Sequence, residues 1–108
     1  MDRPNLDPLS RVVRDDLDDK YRAREVGYQN SRRVIRLSAN AIRALHRDER
    51  ESAAALMEEA GMLLAEAEQA VAAHPDVRHA GFIGDASKEY AEARLTAAVF
   101  AGDPLPLP

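Results

Sequence analysis

The sequence predicts an all-α protein, built as an antiparallel bundle of three long helices. Ala, Leu, Glu, Arg and Asp dominate its 108 residues, and this composition favours helix. Apolar residues recur every three or four positions along three stretches, the period of a helix with one buried face. Pro8, Pro75 and Gly102 fall where such helices would begin or end. The length suits one domain, so residues 1–108 are interpreted as a single helical domain.

The first helix is predicted to run from Asp7 to about His46, after a short polar lead-in. Asp7 is a suitable N-cap, and Pro8 suits the first turn. Gly27 lies within this stretch and predicts a bend or a break there. A helix of this length needs neighbours along all of it, which favours a long bundle or an oligomer. Its periodic positions are Leu9, Val13, Leu17 and Tyr21, followed by Tyr28, Ser31, Ile35, Ser38, Ile42 and Leu45.

The second helix is predicted after a turn at residues 47–51. Asp48 is a candidate N-cap, and Glu51, three residues later, would complete a capping box with it. The helix should continue to about Ala73, because Pro75 cannot extend it. Small alanines on its apolar face permit close helix packing. The apolar positions are Leu56, Ala60, Leu63, Ala67 and Ala70.

The third helix is predicted from about Asp76 to Ala101, with Gly102 as its C-terminal cap. The tail at 103–108 alternates Pro and Leu and is typical of a linker. Because the apolar faces of all three helices are narrow and Ala-rich, we expect further helices to cover them, from later sequence or from other subunits. The third helix carries its apolar face on Ile83, Ala86, Tyr90, Ala93, Ala97 and Phe100.

Composition narrows the classes of function. Cys is absent, which excludes disulfides and thiolate chemistry. No apolar run is long enough to span a membrane and no secretory signal is present at the N-terminus, so a cytoplasmic location is expected. Aromatic residues make up only 5% of the chain, which argues against a platform of several aromatic rings for stacking bases. Phosphate-binding loops and dinucleotide fingerprints are also missing.

Three acids on the third helix form the first candidate site. Asp85, Glu89 and Glu92 are spaced i, i+4 and i+7, so one helix shows them as a single stripe. Like charges in this arrangement repel each other by a few tenths of a kcal/mol per pair. A divalent cation, a basic partner helix or plain solvent would each offset that repulsion. A hard cation such as Mg²⁺ accepts carboxylate oxygens together with water and phosphate oxygens.

A basic stripe on the first helix forms the second candidate site. Arg32, Arg36, Asn40, Arg43 and Arg47 are spaced four, four, three and four, so they share one face. Such a face suits the phosphates of a nucleic acid. The alternatives are a solvated face, or ion pairs with acids of the neighbouring helices, which the net charge of −4 makes easy.

The segment Gly-Asp-Ala-Ser-Lys-Glu-Tyr-Ala-Glu-Ala at 84–93 resembles the translin family. That family carries a segment of the form Gly-x-x-x-x-Glu-Tyr/Phe-x-Glu-Ala, and the Phe-Ile-Gly lead-in at 82–84 fits as well. The stretches Ser-Arg-Arg-Val-Ile-Arg at 31–36 and Ala-Ile-Arg-Ala-Leu-His-Arg at 41–47 are also similar. The resemblance covers about 31–100 and looks like the N-terminal portion of an archaeal-type member.

The resemblance implies a helical subunit of a closed, roughly octameric homo-oligomer that binds single-stranded RNA or DNA. In members with nuclease activity, similar acids bind Mg²⁺ and cleave single-stranded RNA. Glu89 and Glu92 match the two glutamates of the motif, so they would be catalytic and hold the metal, with Asp85 as an outer-shell helper at the metal site. Arg32, Arg36, Arg43 and Arg47 would bind phosphates. The family's nucleases also use acids from a later helix. We expect this chain to correspond to the first half of a larger helical subunit.

Two alternatives to a nuclease remain open at this stage. The chain could bind single strands without cleaving them, or it could be a non-catalytic helical module that serves oligomerisation alone. Salt-dependent binding of single strands without turnover would favour the first alternative. Oligomers with no affinity for nucleic acid at low salt would favour the second.

Overall fold

The computed structural model describes residues 7–78 and 80–102, and all secondary structure in them is helical. This confirms the all-α class, but the helix count of three was wrong, because the third predicted helix is divided in two. The elements are α1 (Asp7–His46), α2 (Arg50–Val71), α3 (Pro75–Arg78) and α4 (Phe82–Ala101). The predicted linker at 103–108 lies outside the described residues.

Helix α1 is continuous through Gly27, so the predicted break is absent. It contains 40 residues, which gives a length of about 60 Å. Gly27 is buried, and a Cβ atom there would lie 2.9 Å from Val71 Cγ1 and 3.0 Å from Phe82 Cε2. The absence of a side chain thus lets α2 and α4 approach α1 closely. Gly27 therefore serves the packing between helices.

The turn between α1 and α2 differs from the predicted capping box. Glu49, not Asp48, occupies the N-cap position of α2, and no side chain caps that helix. Asp48 has a φ of 59°, in the left-handed region that Asp tolerates better than most residues. Its carboxylate lies 3.2 Å from Arg50 Nε. Asp48 therefore makes the reversal of the chain instead of starting the helix.

The third predicted helix is interrupted before its apolar face begins. The single turn α3 ends at Arg78, and Gly81 then adopts a φ of 99°. A right-handed helix cannot pass through this conformation, so α4 starts one residue later. The other end agrees with the prediction, because Gly102 caps α4 with a φ of 73° and its N–H donates to the carbonyls of Ala98 and Val99.

Contacts at the two ends of the bundle define the helix directions. Near Gly27, the middle of α1 meets Val71 at the end of α2 and Phe82 at the start of α4. At the other end, the rings of His46 and Phe100 lie 5.2 Å apart, edge to face. Arg50 Nη2, at the start of α2, donates to the carbonyl of Phe100 over 3.3 Å. Helix α2 therefore runs antiparallel to α1, and α4 runs parallel to α1.

Small residues fill the interface between the three long helices. The buried positions of α1 and α2 recur at intervals of three, four and seven, the spacing of knobs-into-holes packing. Alanine and serine at many of them bring the helix axes close together but bury little apolar area per residue. Representative buried positions are Ser31, Val34, Ser38 and Ala41 in α1, Ala53, Ala60 and Ala67 in α2, and Ala86 and Ala93 in α4.

The first turns of α1 extend beyond the other helices. The molecule measures 78 × 24 × 15 Å, and its radius of gyration is 19.5 Å, against about 13 Å for a compact domain of this size. The side chains of Leu9, Val12, Val13 and Leu17 are all more than half exposed. We call residues 7–19 the overhang. No helix within 7–78 and 80–102 combines the length and apolar content that crossing a membrane requires.

Candidate nucleic-acid interface

The predicted basic stripe is an exposed ridge along α1. Arg32, Arg36, Arg43 and Arg47 are all exposed, and we call these four residues the arginine ridge. The buried positions of α1 include Ser31, Val34, Ser38, Ala41 and Leu45, and at about 100° per residue the ridge lies on the opposite side. The ridge therefore points away from the bundle, and a long ligand could contact all of it.

The ridge arginines differ in what they contact. Arg32 Nη1 donates to the Tyr28 hydroxyl over 3.1 Å, and its guanidinium carbon lies 5.8 Å from the Tyr28 ring centroid. Arg43 donates to Asn40 Oδ1 over 2.7 Å. Arg47 forms an ion pair with Glu49, with Nε and Oε1 3.0 Å apart. For Arg36 the described part of the chain provides neither a hydrogen bond nor an ion pair. Three of the four charges thus lack a carboxylate partner among the described residues.

Neighbouring acids pair with arginines outside the ridge. Arg33 reaches across to α2, where its Nη2 lies 2.6 Å from Glu59 Oε1. Arg50 pairs with Asp48 at the turn. The acidic net charge of the chain is therefore compatible with a ridge that keeps most of its positive charge available.

The acidic stripe of α4 forms no ion pairs within the described residues. Asp85 and Glu92 are exposed and Glu89 is half-buried. Within 7–78 and 80–102, none of the three carboxylates forms an ion pair, so the basic-partner explanation of the stripe finds no support in the structure. The same residues contain no grouping of three or more His, Asp or Glu side chains that could hold a metal ion. The acids share a helix face without converging on one point.

An open groove lies between α1 and the start of α4. Its volume is about 370 Å³, within the range of small-ligand pockets. Two ridge arginines and one stripe acid, which the sequence assigned to separate sites, border this groove together. Its lining residues are Tyr28, Ser31, Arg32, Ile35, Arg36, Phe82 and Asp85.

The groove combines aromatic walls with polar groups. The Tyr28 and Phe82 rings are 5.9 Å apart, at an interplanar angle of 84°. Ser31 is only 1% exposed, and its hydroxyl has no hydrogen-bond partner among the described residues. Phe82 and Asp85 belong to the first turn of α4, where the helix dipole places partial positive charge. An anion with an apolar or aromatic part would fit such a surface.

Sequence reasoning found the charged residues of the groove but not the groove itself. The periodicity of α1 places Tyr28 and Ser31 on its apolar face, and Phe82 enters the sequence analysis only through the resemblance to the family motif. Tyr28 precedes Arg32 by four residues, so the pair was visible as neighbours on one helix. No pattern in the sequence indicated that Phe82 would meet Tyr28 from 54 positions later.

Comparisons with family models, with curated proteins and with solved structures find no match to the chain. The resemblance to the translin family consequently rests on the segments at 31–47 and 82–93 alone.

Proposed function

We propose that the protein binds single-stranded RNA or DNA through the arginine ridge. The observation that carries this proposal is that Arg32, Arg36 and Arg43 have no carboxylate partner among the described residues, although the chain is acidic overall. Guanidinium groups on an exposed helix face can each contact a phosphate, and they release bound counterions as they do so. The resemblance to the translin family favours single strands as the ligand.

The arrangement favours binding with little dependence on sequence. The three ridge arginines that have no carboxylate partner among the described residues are separated by four and seven residues, so they follow the α1 axis over about 16 Å. Phosphate contacts position a strand but do not read its bases. Negative charge elsewhere on the molecule disfavours contact with phosphates away from the ridge. A strand should therefore follow α1.

Anisotropy of a labelled single-stranded 12-mer at low salt tests this proposal. The ridge variant combines Arg32→Gln, Arg36→Gln and Arg43→Gln, and we expect its affinity to fall at least tenfold. The charge-matched control places glutamines at three exposed arginines of the N-terminal part of α1, namely Arg11, Arg14 and Arg24. Equal losses in both variants would overturn the ridge assignment. No binding by the wild type at low salt would leave the oligomerisation module as the function.

A second candidate function is Mg²⁺-dependent cleavage of the bound RNA. The observation that favours it is the absence of any ion pair at Glu89 and Glu92 among the described residues, which leaves both carboxylates available to a cation. The two carboxylates would supply part of the Mg²⁺ ligands, and water and phosphate oxygens would supply the rest. Asp85 would contact the ion through a bound water molecule. Bound Mg²⁺ would supply an activated water for phosphodiester hydrolysis. The ridge would hold the strand beside it.

Cleavage is tested with a single-stranded RNA in Mg²⁺ and in EDTA. We expect the double variant Glu89→Gln, Glu92→Gln to cleave at least a hundredfold more slowly than the wild type while binding the strand normally. The matched control is Glu66→Gln, Glu68→Gln, at exposed positions of α2. Undiminished cleavage by the α4 variant would remove these glutamates from the mechanism. Binding without cleavage by the wild type would leave the binding function alone.

We also propose that the chain is a subunit of a translin-like homo-oligomer, located in the cytoplasm, in which copies of the chain cover each other. The overhang supports self-association. At about 100° per residue, Leu9 and Val13 lie on the same side of α1 as the buried Gly27 and Leu45. The face of α1 that packs against α2 and α4 therefore continues along the overhang, where it is exposed to solvent. A second copy carries the same apolar surface and would cover it.

A further inference from the structure

We infer that the groove between α1 and α4 binds a guanine base of the strand that the ridge holds. This inference rests on the proposed function and adds a base preference to it. The ridge alone contacts phosphates and reads no sequence. The groove borders the ridge at Arg32 and Arg36 and extends inward to Ser31. A nucleotide whose phosphate lies on the ridge therefore has a place for its base.

The walls of the groove suit a flat aromatic ring. Phe82 and Ile35 are half-buried, and the exposed Tyr28 ring meets Phe82 edge to face. Stacking of a base on an aromatic side chain stabilises the bound strand. One aromatic pair is enough for a single base, even though the chain has too few aromatic residues for a longer platform.

The polar groups of the groove match guanine better than the other bases. The Watson–Crick edge of guanine presents two adjacent donors, N1–H and N2–H, beside the O6 acceptor. The Asp85 carboxylate provides two acceptor oxygens and lacks a partner among the described residues. Ser31 borders the groove, but its hydroxyl is buried beneath the surface, so the Asp85 carboxylate alone carries the match to guanine. Adenine and cytosine offer one donor beside an acceptor, and uracil has a single donor between two acceptors.

The cationic side of the groove suits the phosphate of the same nucleotide. Arg32 and Arg36 are one helical turn apart on its rim, and Arg36 has no partner among the described residues. The two arginines would meet the phosphate, and Asp85 would meet the base.

The test compares labelled 12-mers of uridine that carry one variable base at the centre. Guanine should bind about tenfold more tightly than inosine, which lacks the N2 amino group and so loses one hydrogen bond to a charged acceptor. Adenine should bind no better than inosine. A 7-deazaguanine strand should match guanine within twofold, because its Watson–Crick edge is unchanged.

Two variants assign the preference to the groove. Asp85→Asn should reduce the guanine-to-inosine ratio to about one, and because both strands are measured on the same variant, a general change in affinity cancels from this ratio. Glu68→Gln, an exposed acid of α2 outside the groove, should keep the full ratio. Equal binding of guanine and inosine by the wild type, or a preference that survives Asp85→Asn, would overturn the guanine assignment but not the proposed function. Failure of every strand to bind would overturn both.

Discussion

The glycine at position 27 lets α2 and α4 pack closely against α1. The methyl group of an alanine there would approach fully buried Val71 to 2.9 Å, and Val71 has little room to move. Overpacking typically costs more than the helix propensity that Ala gains over Gly. We expect Gly27→Ala to lower the free energy of unfolding by about 1 kcal/mol, measured by urea denaturation.

Gly84 provides the control for that substitution. It lies in the first turn of α4 with nothing within 4 Å of its Cβ position. Gly84→Ala should therefore raise the free energy of unfolding by about 0.5 kcal/mol, through backbone entropy alone. If both substitutions stabilised the protein, the close approach of α2 and α4 to Gly27 would be contradicted.

A pH-dependent contact joins α1 to α3. The Lys20 ammonium pairs with the Asp76 carboxylate, and this hydrogen bond holds the pKa of Asp76 below its ordinary value of 3.8. Because folding lowers this pKa, the contact adds stability above pH 3.8 and loses it as the pH falls through the folded value. Asp76→Asn should lower the urea midpoint at pH 7 but leave it near that of the wild type at pH 2.

Asp15→Asn is the matched control for this pH dependence. Asp15 is an exposed acid of the overhang, and the structure gives it no ion pair among the described residues. Its substitution should shift the urea midpoint less than Asp76→Asn does at pH 7. A destabilisation by Asp76→Asn that is as large at pH 2 as at pH 7 would show that the ion pair is not its cause.

At the scale of the elements, hydrophobic periodicity predicted α1, α2 and most of α4. That signal is strong where many turns share one buried face, as between Gly27 and Leu45. Hydrophobic periodicity gave no information on the two positions where backbone torsion angles set the direction of the chain. Asp48 and Gly81 both have positive φ, and such angles are set by the geometry of the connection. The predicted capping box and the single third helix therefore failed at those residues.

The break before α4 predicts a specific cost at Gly81. A φ of 99° is strained for any residue with a Cβ atom, although the space around this position is open. Gly81→Ala should destabilise the protein by about 1–2 kcal/mol. Calorimetry or urea denaturation measures the effect. A stability equal to that of the wild type would mean that α3 and α4 tolerate a continuous helix through this position.

The candidate site was predictable in its charges and not in its shape. Helical spacing placed Arg32 and Arg36 on one exposed face, and the structure agrees. The groove required knowledge that Phe82 and Asp85 pack beside the same part of α1. That juxtaposition depends on the direction of α4 and on where it begins, which in turn depends on Gly81. The sequence supplied no signal for that conformation other than the glycine itself.

At the scale of the whole molecule, the overhang predicts self-association. Exposed apolar side chains on the continuation of a packed face lose water contact when a second copy covers them, at roughly 25 cal/mol per Å². Sedimentation velocity should therefore find dimers or larger species for the wild type. Leu9→Asp combined with Leu17→Asp should give monomers, whereas Met62→Asp, at an exposed position of α2, should not. A monomeric wild type would contradict the proposed assembly.

The slope of log affinity against log salt concentration tests the central claim most directly, because it counts phosphate contacts. Each phosphate contact on a single strand contributes about −0.7 to this slope. With Arg32, Arg36 and Arg43 each on a phosphate, the triple glutamine variant should have a slope about 2 units shallower than the wild type. The control at Arg11, Arg14 and Arg24 should keep the wild-type slope. Equal slopes for the wild type and the ridge variant would contradict the account.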